Sequence, residues 1–166
     1  MDIEDYSNLP GKQILLMKSL DVYYKKEENI NHLLPIIKGG ITKLSLRIID
    51  WFATNYTKKF GVIYYLKKTE DGYDYSETHQ EGYTHYNVWT KYKSNLDAYS
   101  KKQFDPFCGN ERIEFKYNED SKIITTVGQL NFFRWAIDNH VLTYIKNHLD
   151  VIEKDMNSNI RKNSPK

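Results

Sequence analysis

The chain has 166 residues, enough for one folded domain that buries about two thirds of its unfolded surface. Its hydrophobic content is 40%, including 14 tyrosines. This composition is typical of a folded protein, so we do not expect intrinsic disorder. A net charge of +2 is too small for a general nucleic-acid binder, so such a role would require a local cluster of basic residues.

Cysteine content and hydropathy narrow the class of protein further. Cys108 is the single cysteine, which excludes an internal disulfide and a multi-cysteine zinc site. The acidic N-terminus lacks the apolar region of a signal peptide, and no apolar run approaches about 18 residues. We therefore expect a protein that is neither secreted nor membrane-spanning and that works in a reducing compartment.

The N-terminal part of the chain changes from polar to apolar composition after Pro10-Gly11. Residues 1–11 are polar and predict a flexible arm. The segment 13–24 is apolar without a clear period, so both a strand and a helix remain open. The segment 27–34 predicts a short helix that ends before Pro35, because a residue that precedes proline avoids the helical conformation.

A broad apolar stripe indicates a central helix over about residues 42–58. Lys58 and Lys59 suit the negative end of the helix dipole, and Gly61 is a plausible stop. The stripe consists of Leu44, Ile48, Trp51, Phe52 and Tyr56, and is widened by Leu46, Ile49 and Ala53. We expect this side of the helix to be buried, and the predicted architecture depends on that burial.

Alternating apolar and polar residues predict two hairpins. The first has strands at 61–66 and 83–89, separated by a polar and mobile loop at 67–82 with a turn at Asp71-Gly72. The second has strands at 112–117 and 122–126.

Helices are predicted between the hairpins and after them. The segment 91–102 is amphipathic, and Thr126 with Gln129 fits a capping box that starts a further helix. Asp138-Asn139 should interrupt that helix, and the basic tail at 158–166 should be frayed.

These elements predict a single globular α+β domain over residues 12–157. A small, mostly antiparallel sheet from the two hairpins would be covered on one face by the central helix and the C-terminal helices. We find no internal repeat and no glycine-rich phosphate loop in the sequence.

A cluster of lysines and aromatic residues follows the first hairpin and is the candidate contact site for nucleic acid or a protein partner. Lysines bind phosphates as point charges, whereas aromatic faces stack on unpaired bases. An amphipathic helix with solvated lysines would give the same pattern. The candidate residues are Trp89, Lys91, Tyr92, Lys93, Tyr99, Lys101, Lys102, Phe104 and Phe107.

Other candidate chemistry is weaker. Cys108 could be a nucleophile, but Phe104 and Phe107 surround it with apolar groups that raise a thiol pKa and favour simple packing. His79 and His85 lie near Glu77 and Glu81, without the further ligands that a metal site needs. His140 and His148 likewise have no evident partner ligand. We expect no catalytic residue, no metal and no cofactor.

Three segments together resemble a family of small proteins encoded by nucleocytoplasmic large DNA viruses, including giant viruses and algal viruses. They are Ser45–Lys59, Tyr99–Cys108 with Glu111–Ile113, and Thr125–Ile137. The resemblance covers residues 33–157 and implies no catalytic residue, cofactor or substrate. In the family's pattern, basic residues follow the Phe-Asp-Pro-Phe-Cys string. Gly109-Asn110 stand there in this chain, which argues against phosphate binding at that turn.

Composition and resemblance lead to three hypotheses. The first is a non-enzymatic viral protein that binds another viral protein, as a structural or accessory component of the virion or virus factory in the host cytoplasm. The second is a nucleic-acid-binding accessory factor that uses the lysine and aromatic residues at 89–107. The third is an enzyme centred on Cys108.

Overall fold

The computed structural model describes residues 11–40, 42–107 and 111–163. Nearly all of the predicted N-terminal arm, as well as Cys108 and residues 164–166, lies outside the described residues. The chain divides into two compact units. The first unit comprises Met1–Thr42 and Asn95–Ile137, and the second comprises Lys43–Ser94 and Asp138–Lys166.

The first unit begins with helices α1 (Gly11–Tyr24) and α2 (Glu27–Lys38). The open choice between strand and helix at 13–24 is therefore settled as a helix. The prediction that α2 ends before Pro35 is wrong, because Pro35 lies inside it. Ile36 in the last turn is buried, and burial of a side chain of this size contributes about 1.5–3 kcal/mol. That contribution offsets the backbone hydrogen bond that proline cannot make.

Strands β4 (Ile113–Lys116) and β5 (Lys122–Thr125) form the predicted second hairpin as a two-stranded antiparallel sheet. Helix α7 (Val127–Asp138) follows, and it ends where Asp138-Asn139 predicted an interruption. The forward half of the predicted capping box is confirmed, since the Gln129 backbone N–H donates to Thr126 Oγ1 at 3.1 Å. The Gln129 side chain instead accepts a hydrogen bond of 2.8 Å from the hydroxyl of Thr125.

Helix α7 forms the core of the first unit. Leu130, Phe132 and Phe133 are fully buried, and the Leu130 carbonyl accepts a 2.6 Å hydrogen bond from the Tyr24 hydroxyl on α1. Gly128 lies against the backbone at Asp105, so close that a Cβ atom there would be 2.6 Å from the Asp105 carbonyl oxygen. Glycine at this position is therefore a requirement of packing.

The central helix of the second unit consists of α3 (Leu46–Trp51), a π-helical turn (Phe52–Tyr56) and α4 (Thr57–Phe60). It starts later than predicted because Ser45 caps it, with the Ile48 N–H donating to Ser45 Oγ at 3.2 Å. It ends at Gly61 as predicted, in the left-handed conformation. The predicted stripe is buried at Leu44, Ile48, Ile49, Phe52, Ala53 and Tyr56, while Leu46 and Trp51 are half-buried.

A three-stranded antiparallel sheet follows, formed by β1 (Ile63–Lys68), β2 (Tyr73–Ser76) and β3 (Thr84–Asn87) in the order β2-β1-β3. The segment 67–82 is therefore not a loop throughout, because β2 lies within it. The Asp71-Gly72 turn folds the chain back at once, and the Thr69 N–H donates to the Gly72 carbonyl at 2.8 Å. Polar composition concealed this edge strand, whose residues are exposed or half-buried.

Helices α8 (Val141–Asn147) and α9 (Leu149–Asn163) complete the second unit. The Tyr144 ring on α8 lies 5.8 Å from Tyr64 of β1 and 5.6 Å from Phe52 of the central helix. Tyr64 is fully buried and donates a 2.5 Å hydrogen bond to the Asn139 carbonyl. Helix and sheet thus share one aromatic core. Helix α9 continues through Asn163, so most of the predicted frayed tail is helical.

The α+β class is confirmed, with the strands in two separate antiparallel sheets, one in each unit. Helices α5 (Val88–Tyr99) and α6 (Lys101–Phe104) replace the single predicted helix at 91–102. The break is at Ser100, whose φ of 72° is incompatible with a right-handed helix. Among the described residues, no helix has the length and apolar content needed to cross a bilayer.

A candidate ligand-binding surface on the second unit

The predicted lysine and aromatic cluster is divided between the two units. Trp89, Lys91, Tyr92 and Lys93 lie on α5 within the second unit. Tyr99, Lys101, Lys102, Phe104 and Phe107 belong to the first unit.

The aromatic rings of the first-unit group pack into the core. Phe104 is fully buried, and its ring centroid lies 5.7 Å from Phe132 and 5.6 Å from Trp135. Tyr99 stacks on Phe104 at 6.0 Å, and Phe107 is half-buried at 6.3 Å from Phe132. Phe104 is thus a core residue and offers no face to a ligand. Lys101 and Lys102 remain exposed.

In the second-unit group, an aromatic ring lies close to the ammonium groups of several lysines. The half-buried Trp89 has the Lys93 ammonium 5.9 Å from its ring centroid and the Lys58 ammonium at 5.4 Å. Lys91 Nζ lies 5.9 Å from the ring of Tyr86. Tyr92 is only 3% exposed, so it supports the helix from within and is not a contact residue. We call Lys58, Trp89, Lys91 and Lys93 the Trp89 surface.

Local structure positions this surface. The Asn87 side chain accepts a 3.0 Å hydrogen bond from the Thr90 N–H and so caps the first turn of α5. Trp89 and Lys93 are then one helical turn apart on the same side of α5. Lys58 comes from α4, the last turn of the central helix. Sequence periodicity placed Lys58 only at the C-terminal end of the central helix, because periodicity does not reveal which elements meet.

Lys58 and Lys93 of the Trp89 surface differ in their electrostatic surroundings from the neighbouring Lys59. Lys59 Nζ lies 2.7 Å from the Asp155 carboxylate. Within the described part of the chain, neither Lys58 nor Lys93 forms an ion pair. Both side chains are exposed. Their charges are therefore not neutralised locally and are available to an anion.

The histidines serve two different parts of the second unit. His148 Nε2 forms a hydrogen bond with the carboxylate of Glu77, and the Asn147 amide donates to the same carboxylate at 3.1 Å. Partial burial alone would raise the pKa of Glu77, but these hydrogen bonds hold that pKa below its usual value. His140 Nε2 lies 2.6 Å from the Tyr73 carbonyl. Histidines near the two ends of α8 thus hold the two ends of β2.

In the described part of the chain, neither His79 nor His85 forms a hydrogen bond or ion pair with Glu77. His79 instead meets the ring of Tyr65 edge-on, with centroids 5.5 Å apart, and His85 is exposed on β3. In residues 11–40, 42–107 and 111–163, no group of three or more histidine, cysteine or acidic side chains is arranged to hold a metal ion. Cys108 lies outside these ranges, so the enzyme hypothesis centred on it stays a prediction.

Comparison with known proteins identifies the family. The chain belongs to DUF7197, a family of unknown function whose model matches residues 2–166. A relative, "Uncharacterized protein L507" of Acanthamoeba polyphaga mimivirus, is 36% identical over 145 residues, which cover 83% of this chain and 52% of the relative. The chain thus spans about half the length of that protein. The mimivirus relative confirms the resemblance to large DNA virus proteins and supports a viral origin. No solved structure matches.

Proposed function

We propose that this viral protein acts by binding rather than by catalysis, and that the Trp89 surface binds single-stranded nucleic acid. The observation that carries the proposal is the Trp89 ring flanked by the Lys58 and Lys93 ammonium groups, neither of which has a carboxylate partner among the described residues. An aromatic face and free cations are the two parts that a single strand requires.

The chemistry favours a single strand over a duplex. A base can stack on Trp89 only when it is unpaired, and the lysines then contact the flanking phosphates. When a base arrives, the ammonium groups above the ring can move to those phosphates, because Lys58 and Lys93 are exposed and have flexible stems. The low net charge of +2 makes binding depend on this cluster rather than on the whole surface.

The test measures binding of a fluorescent oligothymidylate at several salt concentrations. The wild-type protein should bind with a salt dependence that reflects the phosphates contacted. Trp89→Ala should weaken binding at every salt concentration by about 5-fold or more, because base stacking is lost. Lys58→Ala/Lys93→Ala should also weaken binding and should lower the slope of log K against log salt by about 1.4.

Lys146→Ala/Lys154→Ala is the matched control, since it removes the same charge from exposed helical positions elsewhere in the second unit. If the two double variants weaken binding equally, binding depends only on the overall charge of the protein, which would contradict a dedicated site. Absence of wild-type binding at low salt would also contradict the proposal.

Contact with a viral protein is the second candidate, and a different observation favours it. Leu15 and Val22 are 68% and 69% exposed on α1. They are seven positions apart and so lie on the same side of that helix. Together they give this side of α1 exposed apolar area that a protein partner could cover. Either ligand suits an accessory role in the virion or the virus factory.

Crosslinking in infected cells would test this candidate, with Leu15→Ser/Val22→Ser as the variant. A crosslinked viral partner that the variant loses would support it. A wild-type chain that is monomeric by light scattering and absent from virions and from crosslinked complexes would contradict it.

A further inference from the structure

The three-stranded sheet of the second unit has one buried face and one exposed face. Tyr64, Leu66 and Tyr86 point into the core. Because side chains alternate along a strand, the intervening residues lie on the opposite, outer face. These residues are Ile63, Tyr65 and Lys67 of β1, His85 and Asn87 of β3, and Asp74 and Ser76 of β2. Ile63 is 42% exposed, so solvent reaches this face.

Tyr65 occupies the centre of the outer face. It is the cross-strand neighbour of His85 on one side and of Ser76 on the other. The ring of His79 meets Tyr65 edge-on, with an interplanar angle of 88°. In such a T-shaped contact the edge of one ring meets the face of the other, so His79 orients the Tyr65 ring and covers at most one of its two faces.

Asn87 joins the outer face along the chain to helix α5, which carries Trp89. Asn87 lies on this face beside Ile63, and its side chain caps the helical turn that carries Trp89. Among the strand residues of this face, Asp74 is the one carboxylate and Lys67 the one lysine, so these residues carry no excess negative charge. Asp74 lies on the edge strand opposite Lys67.

We infer that Tyr65 is a second base-stacking position, so that a single strand bound at Trp89 continues across the outer face of the sheet. This inference rests on the proposed function and extends it from one position to a path. An exposed sheet face with a central aromatic ring provides a flat support on which bases stack without sequence readout. His79 orients the Tyr65 ring, and Lys58 and Lys93 beside Trp89 anchor the phosphates at one end.

The experiment uses the full chain and an oligothymidylate of about 16 nucleotides, long enough to span more than one stacking position. Tyr65→Ala should weaken binding by about 5-fold to 100-fold, whereas Tyr65→Phe keeps the ring and should bind like wild type. Tyr73→Ala is the matched control, because Tyr73 is an exposed tyrosine of the same sheet that is absent from the outer face. It should leave the affinity unchanged.

Photocrosslinking with an oligonucleotide containing 5-iodouracil gives an independent measurement that needs no variant. Adducts on peptides carrying Tyr65 and Trp89 support the path. If the wild type binds but Tyr65→Ala binds equally well and Tyr65 forms no adduct, the inference is overturned while the Trp89 site stands. If the wild type does not bind, the proposed function and the inference fall together. A dimer that Tyr65→Ala disrupts would assign this face to a second copy and overturn the inference.

Discussion

The Trp51 indole N–H donates a 2.9 Å hydrogen bond to the carboxylate of Asp155. The second oxygen of that carboxylate lies 2.7 Å from Lys59 Nζ. One acidic side chain on α9 therefore contacts the central helix on both sides of its π-helical turn. This contact also explains why Trp51 is only half-buried: the polar edge of its ring serves the helix contact.

Asp155→Ala should destabilise the second unit by about 1–3 kcal/mol, because it leaves the half-buried indole N–H without its acceptor. Lys59→Ala should cost at most about 1 kcal/mol, since the lysine side chain is 48% exposed and its ion pair is screened by solvent. Urea denaturation followed by tryptophan fluorescence measures both values. Equal losses for the two variants would show that the ion pair, and not the indole hydrogen bond, dominates.

Gly128→Ala should destabilise the first unit by about 1–3 kcal/mol, because the new methyl group would overlap backbone that cannot easily move. Its Cβ would lie 2.6 Å from the Asp105 carbonyl oxygen and 3.3 Å from that of Lys102. Gly11→Ala is the control, since a Cβ there meets no atom within 4 Å. Thermal or urea unfolding compares the variants, and an unchanged midpoint for Gly128→Ala would contradict the close approach.

Alkaline pH should destabilise the second unit through Tyr64. Burial raises the pKa of Tyr64 above its usual value of 10.0, so the folded chain retains a proton that the unfolded chain loses. The contribution of Tyr64 to the free energy of unfolding is therefore fully present below pH 10, and it is lost progressively as the pH rises above 10. Tyr64→Phe should make the loss above pH 10 less steep and should cost about 1 kcal/mol at neutral pH, because the hydrogen bond to Asn139 is lost. Urea titrations at several pH values measure both effects.

Acid should release β2 from α8 through Glu77. The hydrogen bonds from His148 and Asn147 keep the folded pKa of Glu77 below its usual 4.5 despite partial burial. A lowered folded pKa stabilises the folded state above the unfolded pKa, and this contribution is lost as the pH falls through the folded pKa. The protection factors of the β2 amides, which are the ratios of the intrinsic to the observed hydrogen-exchange rate at each pH, should therefore fall in acid. In Glu77→Gln the protection factors should already be lower at neutral pH and should change less with pH.

Sequence periodicity was most informative where local rules dominate. The stripe from Leu44 to Tyr56 predicted which side of the central helix is buried, because a helix of known pitch has only one apolar side. Thr126 and Gly61 marked a helix start and a helix end through their own backbone chemistry. The bounds of the second hairpin were predicted almost to the residue, because the alternation of apolar and polar side chains along its strands is also a local pattern.

Predictions failed where a partner distant in sequence decides the structure. Helix α2 passes through Pro35 because Ile36 finds a buried site, and β2 forms in a polar segment because β1 and the histidines of α8 hold it. Contacts between residues distant in sequence also decide which of the predicted site residues face solvent. Phe104 and Tyr92 turned inward, whereas Lys58 joined Trp89 from another helix.

The sequence by itself determined the class of fold, the buried side of the central helix and the viral family. These depend on residue periods and residue identities, which are local properties of the chain. Only the tertiary structure decided the division into two sheets, the Glu77–His148 contact and the set of cations around Trp89. Each of these joins residues far apart in the chain, and packing free energy, which no local pattern encodes, selects them.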